Sequence, residues 1–289
     1  MNEQAIASGS AQFIGKYHNA IRSLIDQDDF DVPMLPEVAA QVIALTQNPN
    51  ACLTQLSHLI HKDQALAGHV LRIANSAAFS CGVPVVSLSQ ALARLGMSIV
   101  GEIAVAACLK NGVFKATGYE KLTDTLWSHA LASGVVGKEI ARAKRYSVEG
   151  QYLCSLLHTI GKPVVLQMVA QLNAQWREKV DLNTSLALIE SHHVEVGKLV
   201  AAKWQLPQMV TFAIEYYQDA AAAKQFRREA IMAALSHSFA SWLLQSEVIT
   251  DDALKQNAIF AELNFYPNEI EALMAKKETF LEVVNSLSE

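Results

Sequence analysis

The period of the apolar residues narrows the fold more than any other feature. In "SHLIHKDQALAGHVLRIANS", Leu59, Ile60, Leu66, Val70, Leu71 and Ile73 recur on helical faces. Asp63 reads as the N-cap of a helix running to about Asn75. "FSCGVPVVSLSQALARLG" reads as a loop, with Ser87 or Ser89 capping a short helix that stops at Gly96. Further helices are predicted at roughly 98–111, 120–144, 147–160, 184–203, 207–218, 226–246, 250–262 and 267–287. Pro207 and Pro267 fall at helix starts, where a missing N–H costs least. Phe13, Ile14, Tyr17, Ile21, Leu24 and Ile25 form the buried stripe of one more helix near the N-terminus. Alternating Val/Ile/Thr runs are few and no Asn-Gly hairpin turn occurs. The chain therefore reads as an all-α bundle.

Composition then excludes several functions. Half the residues are hydrophobic and 18% are charged, as in globular chains. A net charge of −5 argues against a broad nucleic-acid footprint. A helix-turn-helix over 53–76 fails too, because its second helix is mainly apolar and Arg72 is its one full positive charge. The first residues show no signal peptide. The most apolar window, "SIVGEIAVAACL", contains Glu102 and is too short to span a bilayer. Cys52, Cys81, Cys108 and Cys154 form no CxxC, so reduced, buried thiols are expected. A soluble cytoplasmic protein follows, with neither DNA nor membrane as partner.

Two groups of segments carry a family resemblance. Leu35-Pro36-Glu37-Val38, the Asn-Pro loop at 48–49, Lys62-Asp63, Leu71-Arg72-Ile73-Ala74-Asn75-Ser76 and "SLSQALARLGM" occur in order. They resemble the opening of the HDOD domain, a divergent and mostly bacterial branch of the HD superfamily. "LWSHALASGVVGKEIARA", "GQYLCSLLHTIGKPVVLQ" and "SHHVEVGKLVAAKWQLPQMVTFAIEYY" look like the helices that carry metal ligands in catalytic HD enzymes. The resemblance covers about 28–225. It implies an HD-superfamily-like helical bundle there, with 1–27 as an N-terminal helical extension and 226–289 as C-terminal helices packed on or beside the HDOD core.

HD enzymes hold one or two divalent metals with a histidine, an adjacent His-Asp pair and a later aspartate. Imidazole supplies a neutral ligand, carboxylates neutralise and bridge the metals, and the metal activates water. Residue by residue, the resemblance puts His129 and His158 at the histidine positions, Thr159 at the paired aspartate and Ala240 at the last one. Two imidazoles without carboxylates hold a metal weakly. We therefore expect vestigial positions and no catalytic, cofactor-binding or metal residue, with His129 and His158 hydrogen-bonded inside the bundle.

Other candidates have plainer readings. His192 and His193 are adjacent, so they point about 100° apart and cannot easily chelate one ion. They read as a helix-start pair, one solvated and one packed. Tyr216-Tyr217 stands where metal-rich relatives carry paired histidines. Cys154 lies one turn before His158, which suits a thiolate–imidazole or zinc pair, but no third partner is evident and a packed cysteine is the simpler reading. Lys162 reads as a solvated lysine near a helix C-terminus, "SLLHTIGKP" being a helix followed by a break. Lys138, Arg142, Lys144 and Arg145 could form a basic patch, or simply complement a helix dipole.

The resemblance implies bacterial signal transduction, and no GGDEF, EAL or receiver sequence accompanies it here. A stand-alone regulatory scaffold that binds a signalling protein is the leading expectation. "LRIANSAAFSCGVPVVSL" (71–88) is its candidate surface, or else a tightly packed interhelical loop. The alternatives are a phosphohydrolase acting on a phosphoester or cyclic nucleotide through a divalent metal with atypical ligands, and a receptor that holds a nucleotide without cleaving it.

Overall fold

The computed structural model describes residues 3–27, 30, 32–46, 48, 50–245 and 249–288, with side chains described from residue 14 onward. Phe13 thus lies outside the described side chains. Tyr17, Ile21 and Ile25, from the same stripe, are buried. The described residues contain helices and no strand.

The N-terminal helix α1 (Glu3–Asp26) lies against two later helices, α8 (Gly161–Trp176) and α9 (Leu182–Lys203). The next four are α2 (Glu37–Thr46), α3 (Leu53–His61), α4 (Gln64–Ala74) and α5 (Leu88–Gly112), and the first three of these pack on α5. Caps set their starts. The Asp63 carboxylate accepts from Leu66 N–H at 3.0 Å, and the Ser87 hydroxyl accepts from Gln90 N–H at 3.2 Å. The expected stop at Gly96 is a kink: the residue has φ 77° and the helix resumes beyond it.

The second group is built from α6 (Glu120–Ala143), α7 (Val148–Leu157), α8, α9, α10 (Gln208–Tyr216) and α11 (Arg227–Leu244). Helix α6 packs on α7 and α11, α8 on α9, and α10 on α7, α9 and α11. Four short elements finish the chain: α12 (Asp251–Lys255), α13 (Ile259–Glu262), α14 (Pro267–Met274) and α15 (Lys277–Ser288), the last lying along α6. The helices expected over 250–262 and 267–287 are each divided in two.

The largest departure from the sequence reading is α8. Gly161-Lys162-Pro163 opens this helix and does not merely end α7. Proline is tolerated there because first-turn N–H groups have no intrahelical partner. Lys162 accordingly sits at a helix N-terminus, not a C-terminus, and its side chain is only 15% exposed. Gly161 is also where two helices nearly touch: a Cβ on it would lie 1.9 Å from His193 O and 2.7 Å from Gly197 N.

Two segments, Leu88–Gly112 and Val148–Trp176, are apolar and long enough to cross a bilayer, yet both are mostly buried core helices. Glu102 in the first is buried and ion-paired with buried Lys138 of α6. Lys138 therefore takes no part in the surface basic patch. Lys144 pairs with Glu269 at 2.8 Å, and Arg142 pairs with Glu139. The cysteines are all free but only Cys154 is fully buried; Cys52 and Cys81 are exposed.

Candidate functional site: a histidine cluster

Four helices deliver imidazoles to one region. His129 comes from α6, His158 follows the end of α7, His193 comes from the middle of α9 and His237 from α11. The ring centroids of His129 and His237 are 4.5 Å apart, and those of His158 and His237 are 5.1 Å apart. Tyr217, at the end of α10, stands edge-on to His158 with centroids 4.7 Å apart. The close Gly161 contact brings α9, and with it His193, against the start of α8.

Each proton in this cluster can be placed from its partner. His158 Nδ1 lies 2.7 Å from the Ser155 carbonyl, which can only accept, so Nδ1 carries the hydrogen. Its Nε2 lone pair then accepts from His237 Nδ1–H at 2.9 Å. His193 repeats the arrangement: Nδ1 donates to the Ile189 carbonyl at 3.1 Å, and Nε2 accepts from the Tyr217 hydroxyl at 2.8 Å. Ser241 donates to the His237 carbonyl at 3.1 Å and so accepts from His129 Nε2–H, also at 3.1 Å.

The electrostatics hold these rings neutral. Burial and the Lys162 ammonium depress His129 to a pKa of about 4. Burial lowers His158, His193 and His237 as well, with His129 adding repulsion at His158 and Lys162 adding it at His193. Lys162 pairs with Glu190 at 3.3 Å. Burial likewise pushes the Cys154 thiol up, which removes it as a thiolate.

The sequence candidates are only partly brought together. His129 and His158 share the site, with centroids 6.3 Å apart. Thr159 is buried beside them, and Ala240 is buried on α11, where His237 and Ser241 carry the polar groups. His192 and His193 are mid-helix and both buried, contrary to a helix-start pair with one member in water. They do diverge: His192 Nε2 meets His18 Nδ1 of α1 at 3.0 Å. His237 falls outside the family's ligand pattern, which places a carboxylate on this helix, so the sequence carries no signal for it.

The ring nitrogens of the cluster are engaged by protein groups. Nδ1 bonded to a carbonyl with Nε2 turned inward is the geometry of a ligating histidine. In His158 and His193, however, the inward lone pair already receives a protein hydrogen. No group of three or more His, Cys, Asp or Glu among the described residues is disposed to hold a metal ion.

Residues 32–220 match the HDOD domain. The chain belongs to the HDOD family. Solved structures share the fold. A Shewanella amazonensis protein provisionally named a metal-dependent phosphohydrolase superposes with a TM-score of 0.69 at 19% identity, covering 95% of this chain and 98% of that one. A Marinobacter aquaeolei protein provisionally named a signal transduction protein gives 0.66 at 22% identity, over 96% of this chain and 66% of that one. A Treponema pallidum (strain Nichols) protein of uncharacterised role is 25% identical over 205 residues, 68% of this chain. The chain spans 39% of that relative's length. HDOD helices alone do not complete the cluster, since His237 and Ser241 lie beyond the matched residues.

Proposed function

We propose that this HDOD protein is a cytoplasmic regulatory module that binds another signalling protein and does not hydrolyse phosphoesters. One observation carries the reading: the Nε2 lone pairs of His158 and His193 are occupied by His237 N–H and Tyr217 O–H. Such a cluster serves as a polar core of mutually bonded groups. Thr159 cannot replace a carboxylate, and the nearby Lys162 charge opposes a second cation. His129, His158, Thr159 and Ala240 are then vestiges of a metal site.

The loop within 71–88 supports the binding part. Asn75 clamps it, donating to the Val85 carbonyl at 2.8 Å and accepting from Val85 N–H at 2.7 Å. Arg94 holds the carbonyls of Ala74 and Val83. On this fixed backbone Val83 is 68% exposed and Val86 78% exposed. A pinned loop that presents apolar side chains loses little entropy when a partner covers it.

The test is elemental analysis of protein purified without chelator, with phosphoesterase and cyclic-nucleotide assays across several divalent ions. Absence of both stoichiometric metal and turnover is the expected result. A stoichiometric metal lost in His158→Ala together with turnover overturns the reading in favour of a phosphohydrolase.

A further inference from the structure

The turn from α6 into α7, Lys144-Arg145-Tyr146-Ser147, lies far from the histidine cluster: from His129 to Ala143 the helix runs roughly 21 Å. Two hydrogen bonds close the end of α6. Arg145 N–H donates to the Arg142 carbonyl at 3.2 Å, and Tyr146 N–H donates to the Ala141 carbonyl at 2.9 Å. This closure puts Arg145 in the left-handed region, at φ 58°, where glycine is the usual occupant. A long side chain is held there at a conformational cost. Gln151 of α7 donates to the Glu229 carbonyl at 3.4 Å, which sets the first turn of α11 beside that of α7. Helix α11 opens with Arg227 and Arg228, although the positive end of a helix dipole opposes cations. The Arg228 guanidinium lies over the Tyr146 ring, 5.3 Å from its centroid, and Tyr146 is 37% exposed.

The neighbouring cations are neutralised within the fold. Arg142 pairs with Glu139, Lys144 with Glu269, and Arg227 with Glu262 at 3.1 Å. Two other nearby carboxylates are engaged elsewhere: Glu149 lines a small cavity with Thr46, Ser98 and Glu102, and Glu229 raises the pKa of buried Cys154 of α7. Arg145 and Arg228 form no ion pair among the described residues. The dipole of α6 accounts for cations in its last turn but not for Arg228. A guanidinium stacked on a ring keeps its edge of N–H donors free, and that edge matches a carboxylate through two parallel bonds.

We propose that Arg145, Tyr146 and Arg228 form a docking surface for a carboxylate-rich segment of a partner protein. A carboxylate for each guanidinium and an apolar contact for Tyr146 are what an acidic peptide supplies. A nucleic-acid backbone would instead run over Glu139, Glu262 and Glu269, on a chain of net charge −5. The surface shares no residue with the 71–88 loop, and it stands whether or not the histidine cluster holds a metal.

Fluorescence anisotropy tests this with the full chain and a short labelled peptide of alternating glutamate and serine. A Kd below about 1 mM is expected at low ionic strength, weakening at physiological salt. The double variant Arg145→Gln/Arg228→Gln should bind about tenfold or more weakly. A charge-matched change at two exposed lysines elsewhere, Lys115→Gln/Lys121→Gln, should alter binding less than about twofold. Arg145→Gly should weaken binding while raising the melting temperature, because glycine relieves the left-handed backbone, and this keeps the test valid if the double variant unfolds. No binding, equal binding of a glutamine–serine peptide, equal losses in the two double variants, undiminished binding in Arg145→Gly, or tighter binding of an oligothymidylate would each overturn the proposal.

Discussion

The histidine cluster and the surroundings of Lys110, where Trp127 and His69 are packed, treat hydrogen-bond donors in opposite ways. In the cluster, the ring hydrogens of His129, His158, His193 and His237 all reach an acceptor, mostly a carbonyl or another imidazole. Around Lys110, the N–H groups of Trp127 and His69 reach none among the described residues. Both regions are built from buried aromatic rings on helices, so burial alone does not mark a binding site. The difference teaches that one buried polar region matches every donor to an acceptor, while the other leaves two donors buried without one.

The comparison can be broken most severely at Gly161. Alanine there drives a Cβ into the His193 carbonyl, so α9 must move away and carry His193 with it. Gly161→Ala should cost about 3 kcal/mol in urea unfolding, the upper end for overpacking. Next comes acid. The cluster histidines titrate below their unfolded value of about 6.5, so the unfolded chain binds more protons and stability falls as pH drops. Above about pH 6.5 they contribute no slope; below it each neutral ring contributes up to about 1.4 kcal/mol per pH unit, with His129 finishing near 4. Thermal melts from pH 8 to 4 measure this, and a flat profile would show that the rings are charged in the fold.

Donor deletions then sharpen the contrast. Tyr217→Phe keeps the ring but strips the donor from His193 Nε2, and should cost about 1.5 kcal/mol. Trp127→Phe removes a buried N–H that has no acceptor, so relief of its desolvation offsets the lost packing and the net change should stay within about 1 kcal/mol. Equal calorimetric losses well above these values at both sites would erase the distinction between matched and unmatched donors. Smallest of all, Thr159→Asp should leave metal content at background in elemental analysis, because the lone pairs beside it are still taken.

Helix type and several starts were legible in the sequence because caps are local: Asp63 and Ser87 act where they were expected to. Gly96 was legible as an interruption, although the chain continues helically past it. Helix α8 was not read, because Gly-Lys-Pro signals a stop and a first turn alike, and only packing decides between them. The site was half legible. His129 and His158 came from the resemblance, whereas His237 and the Tyr217 bond depend on where α10 and α11 cross the bundle, which spacing along the chain does not encode. His192 and His193 were misjudged because an adjacent pair can bury both rings when neighbours lie on two sides, here His18 and Tyr217.

The near-contact of Gly161 with α9 bears on how such chains are recognised. A motif search over "SLLHTIGKP" that rewards the glycine is rewarding the absence of a side chain between two crossing backbones. That requirement would persist in a descendant with no chemistry left, so two positions apart in the same motif report on unrelated properties. Position 161 registers architecture, and position 159 is where the proposed loss of a metal ligand would be written.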